Sequence, residues 1–134
     1  MGQAEEFRRP VALVVEDEPL QRMMAVDLVE EAGFDVIEAT NADEAILLLE
    51  TRLDIRVVFT DIDMPGSMDG MMLAAAVRKR WPPIEIIITP GHVRERDLVL
   101  PERGVFFPKP YDSERLSRKL VELRLHHRLY QMCF

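Results

Sequence analysis

Four places in this sequence set a reactive side chain at the end of an apolar run. Val11-Ala12-Leu13-Val14-Val15 runs into Glu16-Asp17-Glu18, and Val57-Val58-Phe59-Thr60 runs into Asp61-Ile62-Asp63-Met64-Pro65-Gly66. Ile84-Glu85-Ile86-Ile87-Ile88 ends in Thr89, and Val105-Phe106-Phe107 is followed by Pro108-Lys109-Pro110. A lone Asp or Thr at such an end more often caps the next loop, and a lysine between prolines is more often a solvated turn residue. Four at matching ends make a pattern. Two carboxylates about 4 Å apart repel by roughly 4 kcal/mol at an effective dielectric near 20. Glu16, Asp17 and Asp61 in one pocket therefore call for a cation, and an all-oxygen ligand set points to a hard divalent ion, Mg²⁺ first. A metal beside the Thr89 hydroxyl and the Lys109 ammonium is equipment for handling a phosphoryl group. One carboxylate can then act as the nucleophile and become an acyl phosphate.

The elements that must position these groups follow from periodicity. Strands this apolar are buried on both faces, as in a parallel sheet covered by helices. Pro19 suits a first helical turn, and Leu20, Met23, Met24 and Leu28 form a stripe at helical spacing that Gly33 ends. Asp35-Val36-Ile37-Glu38-Ala39 reads as a strand, and Asn41 with Glu44 opens a helix carrying Ala42, Ala45, Ile46 and Leu49 on one side. Asp69-Gly70 leads a helix with Leu73, Ala76 and Val77, ended before Pro82-Pro83. Gly91 to Arg103 is charged and weakly patterned (Val93, Asp97, Leu100), which predicts one short helix or an irregular loop. Asp112 or Ser113 caps a last helix with Leu116, Leu120 and Leu123. Strand–helix alternation repeated five times predicts an α/β, flavodoxin-like (βα)5 doubly wound parallel sheet in order 2-1-3-4-5. The crevice of that topology lies between strands one and three, so Glu16-Asp17 and Asp61 become neighbours.

Composition narrows the partners. The chain has 134 residues, 48% hydrophobic and 31% charged, which fits one ordinary globular domain. The expected division is a loose segment 1–9, a domain over 10–125, and a tail or helix extension over 126–134. A net charge of −7 argues against direct binding to a nucleic-acid backbone. No apolar run reaches a membrane span, and the first residues lack the apolar core of a signal peptide, so the expected location is cytoplasmic. Cys133 is the single cysteine, which leaves no intrachain disulfide. His126 and His127 read as solvated helix residues, since neither has a ligand spacing.

Over roughly residues 10–125 the sequence resembles a bacterial response-regulator receiver domain. The resemblance rests on Val14-Val15-Glu16-Asp17-Glu18-Pro19, on Thr60-Asp61-Ile62-Asp63-Met64-Pro65 with Met68-Asp69-Gly70, on Ile88-Thr89, and on Pro108-Lys109-Pro110-Tyr111. It implies a single-domain switch in a two-component phosphorelay, with Asp61 as phosphoacceptor. Asp17 and Asp61 would bind Mg²⁺ directly, Glu16 through water and Asp63 through its backbone carbonyl. Thr89 and Lys109 would hold phosphoryl oxygens, with a cis peptide before Pro110. Phosphorylation would draw Thr89 inward and let Phe106 rotate into the vacated space, a population shift of a bistable element. Because adjacent strand residues face opposite ways, Phe107 is the alternative buried aromatic. The implied partners are a sensor histidine kinase or histidine phosphotransfer protein and a downstream protein. Contact is expected through the segment after strand four, the fifth strand and the last helix, with a homodimer as a further option. No separate enzymatic output is expected beyond self-phosphorylation and dephosphorylation at Asp61.

Two departures from the family stand out. The turn between Asp61 and Gly70 is one residue longer than in most members, through Gly66-Ser67. Pro90 follows Thr89 where the family usually has alanine or glycine, and proline has no N–H to give to a phosphoryl oxygen. Losing one such donor costs on the order of 1–3 kcal/mol, which predicts a weakly held or short-lived phosphoryl state. Pro90 thereby supports an alternative, a pseudo-receiver that binds partners without phosphorylation. A rival from another class is a haloacid-dehalogenase-like phosphatase, whose nucleophile motif Asp61-Ile62-Asp63 mimics. Those enzymes carry the motif near the start and need more chain after it, and the earlier Glu16-Asp17 pair argues against them. Turnover of p-nitrophenyl phosphate separates the two.

Overall fold

The computed structural model describes residues 9–64, 66, 68–89, 104–107 and 112–132, with side chains up to residue 125. Five parallel strands form one sheet: β1 (Val11–Val15), β2 (Asp35–Ala39), β3 (Ile55–Asp61), β4 (Glu85–Thr89) and β5 (Gly104–Phe106). Their order is β2-β1-β3-β4-β5, the predicted flavodoxin-like arrangement. Among the described residues there are four helices: α1 (Pro19–Glu31), α2 (Ala42–Thr51), α3 (Gly70–Arg80) and α4 (Ser113–Met132). The fifth helix expected within Gly91–Arg103 lies outside the described residues. So do Pro90, Lys109 and the Lys109-Pro110 peptide.

Near-continuous apolar strands have one stable solution, burial on both faces, and the core divides accordingly. Leu13, Val15, Val58, Ile86 and Ile88 pack with Ala45, Leu49, Leu73, Ala74 and Val77 of α2 and α3. Ala12, Val14, Val57, Phe59 and Ile87 pack on the other side with Ala25 and Val29 of α1 and Leu116, Leu120 and Leu123 of α4. Each such side chain removed from water contributes roughly 1.5–3 kcal/mol before entropy is set against it.

Caps fix where the helices begin. Glu18 accepts from the N–H groups of Leu20 and Gln21 ahead of Pro19, Asn41 from Glu44 N–H, and Asp69 from Met72 N–H. The Asn41–Glu44 pair is half a capping box, because the Glu44 carboxylate accepts from the Thr40 hydroxyl at 2.9 Å instead of reaching back to Asn41 N–H. Asp112 caps α4, accepting from Glu114 N–H at 3.0 Å and from Arg115 N–H at 3.3 Å. Gly33 closes the α1 turn at φ 104°, a conformation that suits glycine.

One expectation about α1 is corrected. Of the expected stripe, Leu20, Met23 and Met24 are 62%, 59% and 59% exposed, and Leu28 alone packs, half-buried, against the core. The inward face is Arg22, Ala25 and Val29, at i, i+3 and i+7. A charged residue on the buried side hid that face from a search for apolar periodicity. In α3 the buried alanine is Ala74, while Ala76 is half-buried. No helix among the described residues is long and apolar enough to cross a membrane.

Candidate phosphoryl and metal site

The register of the sheet brings the predicted acids together. β1 lies between β2 and β3, with Val15 opposite Thr60, and Asp61 lies opposite Thr89 on β4. Glu16 and Asp17 leave β1 at the same edge at which β3 ends in Asp61. Each of the three carboxylates offers an oxygen within 4.8 Å of the other two. Glu16 and Asp61 are only 4% and 6% exposed, whereas Asp17 faces solvent. Two buried acids and one open one, with oxygen donors throughout, fit a hard divalent cation that keeps water on its outer side. Asp63 is exposed, and its carboxylate is outside this trio.

The neighbourhood is held by the backbone as much as by side chains. Glu16 N–H donates to Ala39 O at 3.0 Å, continuing the β1–β2 ladder one residue past β1. The Glu16 carboxylate accepts from Glu18 N–H at 3.1 Å. Thr60, also buried, donates its hydroxyl to Asp61 O at 2.9 Å. Gly70, the first residue of α3, donates its N–H to Ile62 O at 3.0 Å and closes the turn after Asp61.

Thr89 is buried, and its hydroxyl donates to Thr60 O at 3.4 Å, a long and weak bond that leaves it free to turn elsewhere at little cost. Phe106 is half-buried and packs with Ile88 on the α2–α3 side. Phe107 is the buried aromatic, in the opposite layer with Leu116 and Leu120. Lys109 lies outside the described residues.

Arg22 is the residue that sequence reasoning passed over. Its Nη1 donates to Glu16 O at 3.1 Å and its Nε donates to the Glu38 carboxylate at 3.1 Å. Its place in line with Ala25 and Val29 was the available clue.

Comparison with known proteins gives a consistent answer. Residues 12–121 match the profile of the response regulator receiver domain. The sensor kinase CckA of Brucella abortus is 32% identical over 115 residues, covering 83% of this chain and 12% of that protein. The response regulator TrrA of Thermotoga maritima, in a crystal structure in complex with Mg²⁺-BeF, is 26% identical with a TM-score of 0.76, covering 85% of this chain and 98% of that one. A response regulator receiver domain protein from Clostridium thermocellum is 26% identical with a TM-score of 0.77, covering 90% and 98%. The chain spans 12–47% of the length of the curated relatives it matches. With its profile match running through most of the sequence and its strand order as that family requires, the chain belongs to the response regulator receiver domain family of two-component signalling.

Proposed function

We propose that this protein is a phosphorylation-controlled switch whose phosphoacceptor is Asp61. The observation that carries the reading is the trio Glu16, Asp17 and Asp61, with oxygens within 4.8 Å of one another and two of the three acids buried. Such a group is adverse to folding unless a cation or a proton offsets its charge. The donor is a phosphohistidine on a sensor kinase or phosphotransfer protein, or a small acyl phosphate. A carboxylate oxygen of Asp61 attacks phosphorus, the P–O bond forms as the P–N or P–O bond to the donor breaks, and the electron pair leaves with the donor. Asp17 and Asp61 would hold Mg²⁺ directly and Glu16 through water, with Asp63 contributing its backbone carbonyl. That ion would supply charge neutralisation at the phosphoryl oxygens. The Thr89 hydroxyl and the Lys109 ammonium take the remaining oxygens. Phe106 then follows Thr89 inward, and the altered face is read by a downstream protein in the cytoplasm.

The test is intact mass after incubation with Mg²⁺ and acetyl phosphate, beside Asp61→Asn. A gain of one phosphoryl group that vanishes in the variant supports the switch. A folded chain that binds Mg²⁺ yet gains nothing favours the pseudo-receiver reading to which Pro90 points, and Pro90→Ala then becomes the variant to examine.

A further inference from the structure

The two peptides flanking Glu16 are each held, the one before it by Ala39 and the one joining it to Asp17 by a side chain with no role in the chemistry above. Arg22 is on the inward face of α1, its side chain only 20% exposed. Its guanidinium forks: Nη1 donates to the Glu16 carbonyl oxygen, and Nε pairs with Glu38 on β2. Its own backbone N–H donates to Glu18 O at 2.9 Å. The next residue of β2, Ala39, accepts from Glu16 N–H. The β2 strand therefore grips Glu16 twice, directly through Ala39 and indirectly through Glu38 and Arg22.

We infer that Arg22 is a positioning residue for the cation site, fixing the Glu16–Asp17 peptide plane so that the exposed Asp17 carboxylate meets the buried Glu16 and Asp61. The Glu16 carbonyl belongs to the peptide that leads into Asp17, so rotating that peptide swings the Asp17 Cα and its carboxylate. Asp17 is exposed, and burial does not restrict its side chain as it restricts Glu16 and Asp61. Partners outside the ligand set orient ligands in this way at metal sites generally, and losing one typically weakens metal binding about 10–100-fold.

The sign of the effect separates this role from simple charge. A guanidinium held at the Glu16 carbonyl opposes a cation bound beside it, so deleting its charge alone strengthens Mg²⁺ binding. Loss of the clamp weakens it. The inference rests on the Mg²⁺ reading proposed above, and the experiment separates the two. Calorimetric Mg²⁺ titration of the unsubstituted chain, Arg22→Met and Arg22→Lys is compared, with circular dichroism reporting the fold. Arg22→Met keeps the apolar stem and is expected to bind Mg²⁺ about tenfold more weakly. Phosphorylation by acetyl phosphate should recover at saturating Mg²⁺, so the change appears in the Mg²⁺ requirement and not in the limiting rate. Arg22→Lys keeps the opposing charge and loses the fork, and is expected to bind Mg²⁺ at least as weakly as Arg22→Met. If Arg22→Met does not fold, the lysine variant decides: weaker binding supports the inference and unchanged binding overturns it. Equal or tighter binding by Arg22→Met overturns it directly. Absence of Mg²⁺ uptake by the unsubstituted chain overturns the metal reading itself, and the inference with it.

Discussion

Gly70 lies against the backbone of Asp61. A Cβ placed on Gly70 would overlap the Asp61 carbonyl oxygen and come within 2.7 Å of Ile62 Cα. The obstacle is the backbone of the Asp61–Ile62 peptide, so no flexible side chain can give way. Helix α3 thus starts as close to the end of β3 as the chain permits, and the Gly70 N–H to Ile62 O bond depends on that approach.

Gly70→Ala should therefore displace Asp61 as well as destabilise the fold. Forcing one methyl into close packing costs about 1–3 kcal/mol. The expected result is a lower denaturation midpoint together with slower uptake of phosphate from acetyl phosphate. Unchanged stability and unchanged uptake would show that the turn relaxes freely, and that the contact has no bearing on the site.

The three-carboxylate edge makes an opposite prediction for stability without metal. Asp17→Asn removes one like charge from the trio and should raise stability in chelator by on the order of 1 kcal/mol, solvent screening of the exposed acid included. Ligand linkage then reverses the order. The unsubstituted chain should gain about 1.4 kcal/mol at Mg²⁺ tenfold above its dissociation constant, and the variant should gain little. Thermal melts with and without Mg²⁺ check both halves. A variant less stable in chelator would mean that the acids do not strain the fold.

At the opposite end of β3 lies a pair with a clear pH signature. The side-chain hydrogen bond from Arg52 holds the Asp54 carboxyl below its ordinary value, with burial pushing weakly the other way. Arg52 reaches it in a two-pronged contact, at 3.0 Å and 2.7 Å. A carboxyl with a depressed folded-state pKa adds stability that is present above its unfolded pKa and lost as pH falls through its folded one. The pair is solvent-exposed, so its contribution is small, about 0.5 kcal/mol at neutral pH. Asp54→Asn should cost that much near pH 7 and nothing in acid below the folded pKa. A difference that persists in acid would trace to the loop backbone instead of the charge.

The sheet was legible because its strands are nearly unbroken apolar runs, and parallel sheets leave such runs one arrangement. Asp61 and Glu16-Asp17 were legible for a related reason: topology alone places strand ends together. Strand alternation set Phe106 and Phe107 on opposite faces but left open which of them is the more buried, and the structure gives Phe107. Three features resisted. Gly70 reads as an ordinary helix start, since close approach to another backbone leaves no mark in composition. The exchange of Ala74 for Ala76 reflects a helix rotation smaller than alanine periodicity resolves. Arg22 resisted because burial of an arginine depends on acceptors at the end of β1 and on β2, Glu16 O and Glu38, that only the folded register supplies.

That last case yields a test on α1 itself. Val29 is fully buried among Ala25, Phe34 and Leu120, whereas Met24 projects into solvent although the apolar pattern marks it as core. Truncating Val29 to alanine leaves a cavity and should cost about 2–3 kcal/mol, by analogy with other large-to-small core changes. Met24→Gln removes no buried contact and should stay within about 0.5 kcal/mol of the parent. Urea denaturation of the two variants ranks the faces directly. A costly Met24→Gln beside a mild Val29→Ala would mean that α1 is rotated, and Arg22 could then not reach Glu16.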